Sequence, residues 1–591
     1  MSDYKEQNIP LFTGVDYTKH LPADSRNVKI NLNGSIEVIG GYTSKCIESG
    51  IPTRIPSMYI FNRRTLGEEI FFAFDTFIKR LASNFASSTE IATGLTSDKI
   101  VGSLDYNDKF YFGNGVDECK KISFDGSNNP TVKKWGIAAP TDSLSLSQTT
   151  GGSLLTNYTY KYKITYWNNN DGVESSACIE VSILLTGSNT KVTFDVLDPT
   201  DEQITHVRIY RTKANGVLFY RDQQVVVTGS TLNIVSTVAD ASITVAYSTD
   251  GLVPPPKSNI MVLYNNRAFL VDADNPNAVS YSNNAQTGGG YIEYFNAGDV
   301  LRFKFAVKAI VIVPNGLLFC GDYDTFLMSG DSPTQFVSMQ LSTFEGCSNM
   351  QSVDYYGKIP FWCSPIGIYT WSGSGIVDIS DKIKKSDNSD LTDTFLNADK
   401  TNACGLIDPI NGYYRLTCKA YGSSNNDITF VYDIKRKLWT REDTQPFISG
   451  VFIKASNTIL MGGAATSIIY QLNSGTKFGS TLINSYYETG ELLLGTKNYK
   501  YLGDLRLFLK TNNNITLTIK TEKDTTGIEY TIKPSEFDYT LHRVIKGLGS
   551  NNTKGMLISF RFTNINDSVN NLDGKFYIYN SDITIKEEPI P

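Results

Sequence analysis

Apolar positions along this chain come in short runs set on either side of a polar or Gly/Pro break. In KIPFWCSPIGIYTWSG, Lys358 to Gly373, the runs Ile359 to Cys363 and Ile368 to Trp371 flank Ser-Pro-Ile-Gly. The pattern predicts a short hairpin buried on both faces. The same design recurs in IFFAFDTFIKRL (70–81), KFYFGNGVDECKKI (109–122), RAFLVDADNPNAVSYS (267–282) and LLFCGDYDTFLMSG (317–330). It returns in CGLIDPINGYYRLTC (404–418) and TILMGGAATSIIYQL (458–472). The turns lie near 75, 114, 273, 322, 365, 411 and 462, so the gaps are 39, 49, 43, 46 and 51 once the jump from 114 to 273 is set aside. A recurrence of about 40 to 50 residues is what four-stranded propeller blades require. Seven blades is the estimate, with six and eight also within the pattern. After 404–418 comes ITFVYDIKRKLWTRE (428–442), a strand, a charged turn and a strand, completing one set of four.

The long gap carries a different text. From Pro140 to about Val253 a polar lead-in precedes YTYKYKITYWNNNDGVESSACIEVSI and THVRIYRTKANGVLFYRDQQVV, and the segment ends at Pro254 to Pro256. Strict alternation puts Tyr158, Tyr160, Tyr162, Ile164 and Tyr166 on one strand face. About 110 residues of short strands predict a β-sandwich of immunoglobulin or fibronectin type inserted between two blades. Past the last repeat the strands alternate without the 45-residue spacing. The division expected is therefore an N-terminal arm (1–56) able to donate a strand that closes the ring, propeller parts at 57–139 and 254–483, the inserted sandwich at 140–253, and a C-terminal β-sandwich at 484–591. Composition agrees with an all-β fold: 34 Tyr and 31 Phe, with abundant Thr, Asn and Gly, favour strands and turns.

A formal charge of −6 without a long single-sign block is not the basic footprint of a tight nucleic-acid binder. It leaves room for a surface that DNA slides past. The eight Cys, at 46, 119, 178, 320, 347, 363, 404 and 418, form no CxxC pair. Cys320 and Cys363 sit in apolar runs where a thiol behaves as a small hydrophobe. Cys178 has no partner within its segment, so no inter-sheet disulfide is expected. MSDYKEQNIPLF shows no basic-plus-apolar leader, and the apolar stretch around AVKAIVIVPNGLLF is interrupted by Lys308, Pro314 and Asn315. Synthesis in a cytoplasm, without membrane span, is the expectation.

Candidate chemistry is thin. The three His, His20, His206 and His542, fall in three different regions, against a zinc site or a Ser-His-Asp triad. No GxxxxGK(S/T) or GxSxG occurs, and the GGG at 288–290 lacks a strand-to-helix context. WNNNDGVES has the composition of a calcium loop without its spacing, and a turn with Gly172 at positive φ accounts for it. Asp322 with Asp324, and Asp105 with Asp108, are the carboxylate pairs a glycosidase propeller would need. Turn Asp residues explain them equally, and no Asp-box, WD or kelch motif repeats. Catalytic, metal and cofactor-binding residues are therefore expected to be none. The sequons at Asn157 and Asn514 are what an Asn-rich chain contains by chance.

The run LLFCGDYDTFLMSGDSPTQFVSMQLSTFEGCSNMQSVDYYGKIPFWCSPIGIYTWSGSGIVDISDKI (317–383) resembles the propeller region of tail nozzle proteins of short-tailed bacteriophages, also called tail tubular protein B, and of their relatives, the packaged-DNA stabilisation proteins. FYFGNGVDECKKISFDG, KWGIAAPT, YKYKITYWNNNDGVES with RIYRT, PPPKSNIMVLYNNRAFL and ETGELLLG add to the resemblance, in order, over residues 57 to about 500. The resemblance implies a structural virion protein and no catalytic residue. It implies a homohexamer at the distal end of the tail, docked below an adaptor or tail-tube ring, with the sandwiches making subunit, fibre or needle contacts. Such a ring would surround double-stranded DNA, retain the packaged genome and pass it on ejection.

Two long loops, 282–298 and 384–400, are candidates for narrowing or gating a channel, though solvated or subunit-contacting loops fit as well. The rival reading is a carbohydrate-binding or carbohydrate-cleaving propeller, such as a phage receptor-binding protein or glycosidase. A bacterial surface adhesin is a further rival, and it should carry an export leader.

Overall fold

The computed structural model describes residues 6–10, 22–31, 35–50, 54–141, 143–283, 291–384, 395–489, 491–494, 498–533, 542–547, 554–566 and 575–587. Among them are strands and five short 3₁₀ turns, with no α-helix. Seven antiparallel sheets follow one another around a ring, making a β-propeller. Their inner strands are Ser57–Arg63, Gly102–Tyr106, Met261–Tyr264, Ala309–Val313, Asp354–Tyr356, Asp399–Asp408 and Phe447–Ile453. The last lies against the first, so the circle closes.

The doubly buried hairpins follow from this geometry. A strand presents successive side chains to opposite faces, and a blade has a neighbour on each. In Ile359–Cys363, Phe361 and Cys363 pack with Tyr414, Leu416 and Phe430 of the sixth blade, while Trp362 packs with Val311 and Leu318 of the fourth. Gly67–Phe74 divides in the same way. Phe71 and Ala73 meet Phe110 and Phe112 of the second blade, and Ile70 and Phe72 meet Val451 and Leu460 of the seventh. A continuous apolar run is thus two alternating patterns interleaved.

Six of the seven predicted hairpins are the second and third strands of their blades. The exception is 404–418, which supplies the first and second strands of the sixth blade, and 428–442 supplies its third and fourth. The seventh blade takes three strands from 447–472 and its outer strand, Tyr42–Ile47, from the N-terminal segment, in antiparallel register with Ile468–Leu472. The closing strand is fastened sideways to the first blade. Glu48 Oε2 receives Lys79 Nζ at 2.7 Å, and Glu48 also accepts from Ser88.

Between the second and third blades stands the inserted β-sandwich. One sheet carries Thr159–Asn168 beside His206–Thr212 and Phe219–Val226, and the other pairs Lys191–Val196 with Leu232–Ser236. Tyr160, Tyr162 and Ile164 face its core, with Tyr166 at the margin. Tyr158 is exposed, because the strand begins one residue later.

The C-terminal sandwich is shared with the N-terminal segment. Pro22–Arg26 lies between Leu438–Asp443 of the sixth blade and Tyr486–Thr489, making one nine-stranded sheet run from the propeller into the sandwich. In the opposite sheet, Ile36–Val38 and Glu6–Pro10 pair with Phe576–Glu587. The core joins Leu505, Leu507 and Phe562 to Tyr42, Phe447 and Tyr470 of the seventh blade. Propeller and C-terminal sandwich therefore share one hydrophobic core.

Candidate functional site

The inner strands enclose an axial tunnel of about 1380 Å³. Spread along inner strands of about five residues, roughly 17 Å, that volume leaves room for the centre of a water-sized sphere over a mean width of about 10 Å, too narrow for a B-DNA duplex whose two grooves alone are about 8.5 and 7.5 Å deep. Connectors between blades dip toward the axis where glycine permits it. A Cβ on Gly102 would stand 2.2 Å from Asn259 O, and one on Gly405 2.1 Å from Ser352 O. The connector before the fifth blade goes furthest: Gln351 Nε2 donates to Pro56 O, at the start of the first blade, at 2.6 Å. Asn349 Nδ2 from the same connector donates to Lys400 O at 2.8 Å.

Two carboxyl groups border the tunnel. Asp354 accepts from Tyr355 N at 2.7 Å and from Ile407 N of the sixth blade at 2.6 Å. Burial pushes it up to about 6, against the pull of those hydrogen bonds. Asp105 accepts from Asn62 N of the first blade at 3.2 Å and is pushed by burial to about 6 as well. Both sit on inner strands and tie one blade to the next, and Lys308 and Lys454 add positive charge to the lining. In sequence, Asp354 was hidden in the DYYG of an ordinary strand and turn.

The other candidates are dispersed. His20 and the GGG at 288–290 lie outside the described residues. His206 shares a hydrogen bond with Thr205 Oγ1 in the insert, and His542 begins a strand of the C-terminal sandwich. Asp108 receives Arg64 N at 3.1 Å and Asp324 receives Gln340 Nε2 at 3.3 Å, each within the propeller wall. Asp322 and Asp324 do not line the tunnel. Among the described residues no group of three or more His, Cys, Asp or Glu is placed to hold a metal ion. None of the eight cysteines forms a disulfide, and all are buried. Burial pushes the Cys347 and Cys404 thiols up to about 12, as expected for side chains that pack rather than react. Of the two candidate gate loops, 284–290 and 385–394 lie outside the described residues. The described end of the first holds Glu293, which turns inward to the insert, and that of the second holds Lys400, whose carbonyl accepts from Asn349 Nδ2.

The insert is fixed to the propeller by a buried ion cluster that composition did not reveal. Lys121 Nζ, on the second blade, lies 2.8 Å from Glu293 Oε1 of the third and 3.1 Å from Asp171 Oδ2 of the insert. Lys109 Nζ meets Asp171 Oδ1 at 2.8 Å, Tyr111 OH donates to Glu293 Oε1 at 2.9 Å, and Gly136 N donates to Glu293 Oε2 at 3.0 Å. Burial alone would raise Asp171, but Lys121 and Lys109 hold it down at about 2. Burial likewise disfavours the charge on Lys121, and the two carboxylates outweigh it and raise its pKa. Gly172, with φ of 68°, makes the turn that delivers Asp171, and its carbonyl accepts from Tyr294 OH at 3.0 Å. The acidic turn therefore serves as a joint between bodies, held by ammonium groups.

No protein-family model and no curated protein matches the chain. Among solved structures it is similar to Kluyveromyces lactis Hsv2, at 9% identity over 67% of this chain and 98% of that one, with a TM-score of 0.26. The Dos1 propeller matches at 11% identity over 78% and 96%, with a TM-score of 0.28. BBS1N, solved in complex with ARL6DN, matches at 9% over 74% and 98%, with a TM-score of 0.27.

Proposed function

We propose that this protein is a structural component of a short bacteriophage tail, a nozzle subunit whose copies form a homohexameric ring around the path of double-stranded DNA. The observation that carries the reading is the interlocked build of the chain. N-terminal strands stitch the seventh blade, the sixth blade and the C-terminal sandwich together, and the Lys121 cluster clamps the insert. Each copy is thus a rigid block, suited to bear the outward pressure of packed DNA. The ordered resemblance over residues 57 to about 500 supports the same reading.

In this reading the DNA path runs in the space between copies, and a tunnel that is narrow and spanned by Gln351 supports it. A surface of net charge −6 lets a duplex pass without the phosphate contacts that would retain it. In this reading the chain is not an enzyme. It resides in the virion after assembly in the host cytoplasm, against an adaptor or tail-tube ring and with fibres or a needle. Particles assembled without the protein test the proposal: they are expected to lose packaged DNA to nuclease. Particles that keep a protected genome would overturn it.

A second reading, a propeller that binds or cleaves carbohydrate, is favoured by one observation, the two raised carboxyl groups of Asp105 and Asp354 on the tunnel wall. A depolymerase and glycan-binding assay separates the two.

A further inference from the structure

Backbone strain gathers at one connector. Thr444 has φ of 59°. Among the described residues most non-glycine residues at positive φ are Asn or Asp, and Thr444 is the one that is β-branched, so its side chain crowds its own backbone there. It begins the short link, residues 444–446, between the fourth strand of the sixth blade, Leu438–Asp443, and the first strand of the seventh, Phe447–Ile453. Thr444 is exposed, so no packing of its side chain accounts for the strain. The next residue adds a second cost. Gln445 is 1% exposed, and its Nε2 has no hydrogen-bond partner among the described residues. A buried amide left unpaired is unfavourable.

The N-terminal segment holds the link in this shape. Asn27 Oδ1 accepts from Asp443 N at 2.9 Å, and Asn27 N donates to Arg441 O at 2.9 Å, both on the sixth blade. Asn27 Nδ2 donates to Asn484 O at 2.7 Å, at the entrance to the C-terminal sandwich. Further along the segment, Tyr42 OH donates to Thr444 O at 3.3 Å. The strand that leads into Asn27 is fastened thinly to the blade. Its register with Leu438–Asp443 is the pair Arg26 and Arg441, and both guanidinium groups lean on Asp443, at 3.2 and 3.3 Å. Like charges opposite one another weaken a strand pair.

We propose that residues 22–27 form a releasable strap, which lifts from the sixth blade together with the link at 443–447 as one local opening. The blades, and the core shared by the seventh blade and the C-terminal sandwich, stay closed. Lifting lets Thr444 leave positive φ and lets Gln445 reach water, so the strain in the link favours the opening and the bonds of Asn27 oppose it. The strap lies at the seam of the nine-stranded sheet, between the edges of Leu438–Asp443 and Tyr486–Thr489. While seated it guards both from pairing with other chains. The seam does not depend on the ring reading.

Native-state hydrogen exchange of the full chain tests the strap in wild type, Thr444→Asn and Asn27→Ala. Asn tolerates positive φ, so Thr444→Asn relieves the strain without leaving a cavity. In wild type, residues 25–27 and 443–447 are expected to exchange together, and faster than the neighbouring strand Ile428–Asp433. Thr444→Asn is expected to slow both segments by the same factor, about fivefold, with the outer strand of the first blade, Ser88–Ala92, unchanged. Asn27→Ala is expected to speed both by at least about tenfold. Thr444→Asn is a stabilising change, so it reports on a folded chain whatever Asn27→Ala does. Wild-type segments that exchange no faster than Ile428–Asp433 would overturn the proposal. So would a Thr444→Asn effect that is absent, or confined to 443–447 with residues 25–27 unmoved.

Discussion

Gln351 Nε2 donates to Pro56 O at 2.6 Å, joining the connector before the fifth blade to the start of the first, with the tunnel mouth between them. The amide oxygen of the same side chain, Gln351 Oε1, is buried without a hydrogen-bond partner among the described residues. The bond crosses the ring, so it fastens blades that share no sheet edge. Gln351→Ala is expected to cost about 1 kcal/mol, the usual net value of one such bond. It should also speed hydrogen exchange in residues 348–352 more than in the blade cores. Unchanged exchange there would show that the connector is held by Asn349 and Tyr414 alone.

Two carboxyl groups, one half-buried and one buried, respond to pH with opposite signs. Asp354 titrates near 6 when folded, above its ordinary value of 3.8, so the native state binds its proton more tightly. Its contribution falls as pH rises from about 4 to about 6. Asp354→Asn is expected to be increasingly favourable relative to wild type over that window, by about 1 kcal/mol at pH 7 after allowance for tunnel solvent. Glu48 runs the other way. Burial alone would raise it, but Lys79 and Ser88 hold it below 4.5, so its contribution is present above that value and lost as pH falls through its lowered pKa. Glu48→Gln should flatten the acid limb of stability. Chemical denaturation of both variants between pH 3.5 and 7.5 is the check.

The insert joint makes a sharper expectation. Lys121→Met leaves Glu293 and Asp171 buried with their shared ammonium gone, a loss of about 3–5 kcal/mol. Lys121→Met combined with Glu293→Gln should recover part of it, because one uncompensated charge is removed. Limited proteolysis around residues 134–150 should speed up in the single variant and slow again in the double.

Interblade packing predicts a third class of loss. Trp362 is fully buried between the fourth and fifth blades, with its indole N–H on Gly346 O at 3.0 Å. Trp362→Ala is expected to lower stability by about 3–5 kcal/mol through the cavity it leaves. The loss should appear in the thermal unfolding of the whole ring, since no blade buries both faces alone.

The wheel was legible in the sequence because its physics is local and periodic. A blade wedged between two others demands apolar residues on both strand faces, and Phe361, Trp362 and Cys363 in a row record that demand. The sequence also suggested a closing strand, since residues 1–56, punctuated by Gly and Pro, read as an extended arm. The multiple use of that segment was not legible. Pairing of Pro22–Arg26 with Tyr486–Thr489 spans more than four hundred residues, and strand pairing leaves no mark at such separation. The Lys121, Glu293 and Asp171 cluster was hidden for a related reason. Three blade or loop residues from three parts of the chain meet only in the folded structure. The Asp pairs that did attract attention, Asp105 with Asp108 and Asp322 with Asp324, are near neighbours in sequence, and the wall uses them one by one.

The central claim is that rigid copies of this chain stand around a passage that none of them contains. Single-particle imaging of the purified full chain mixed with its adaptor ring tests it most directly. The expected result is a six-fold ring whose axial hole admits a duplex, with every propeller tunnel still spanned at Gln351. A dispersed monomer with affinity for sugars, or a ring with no axial opening, would contradict it.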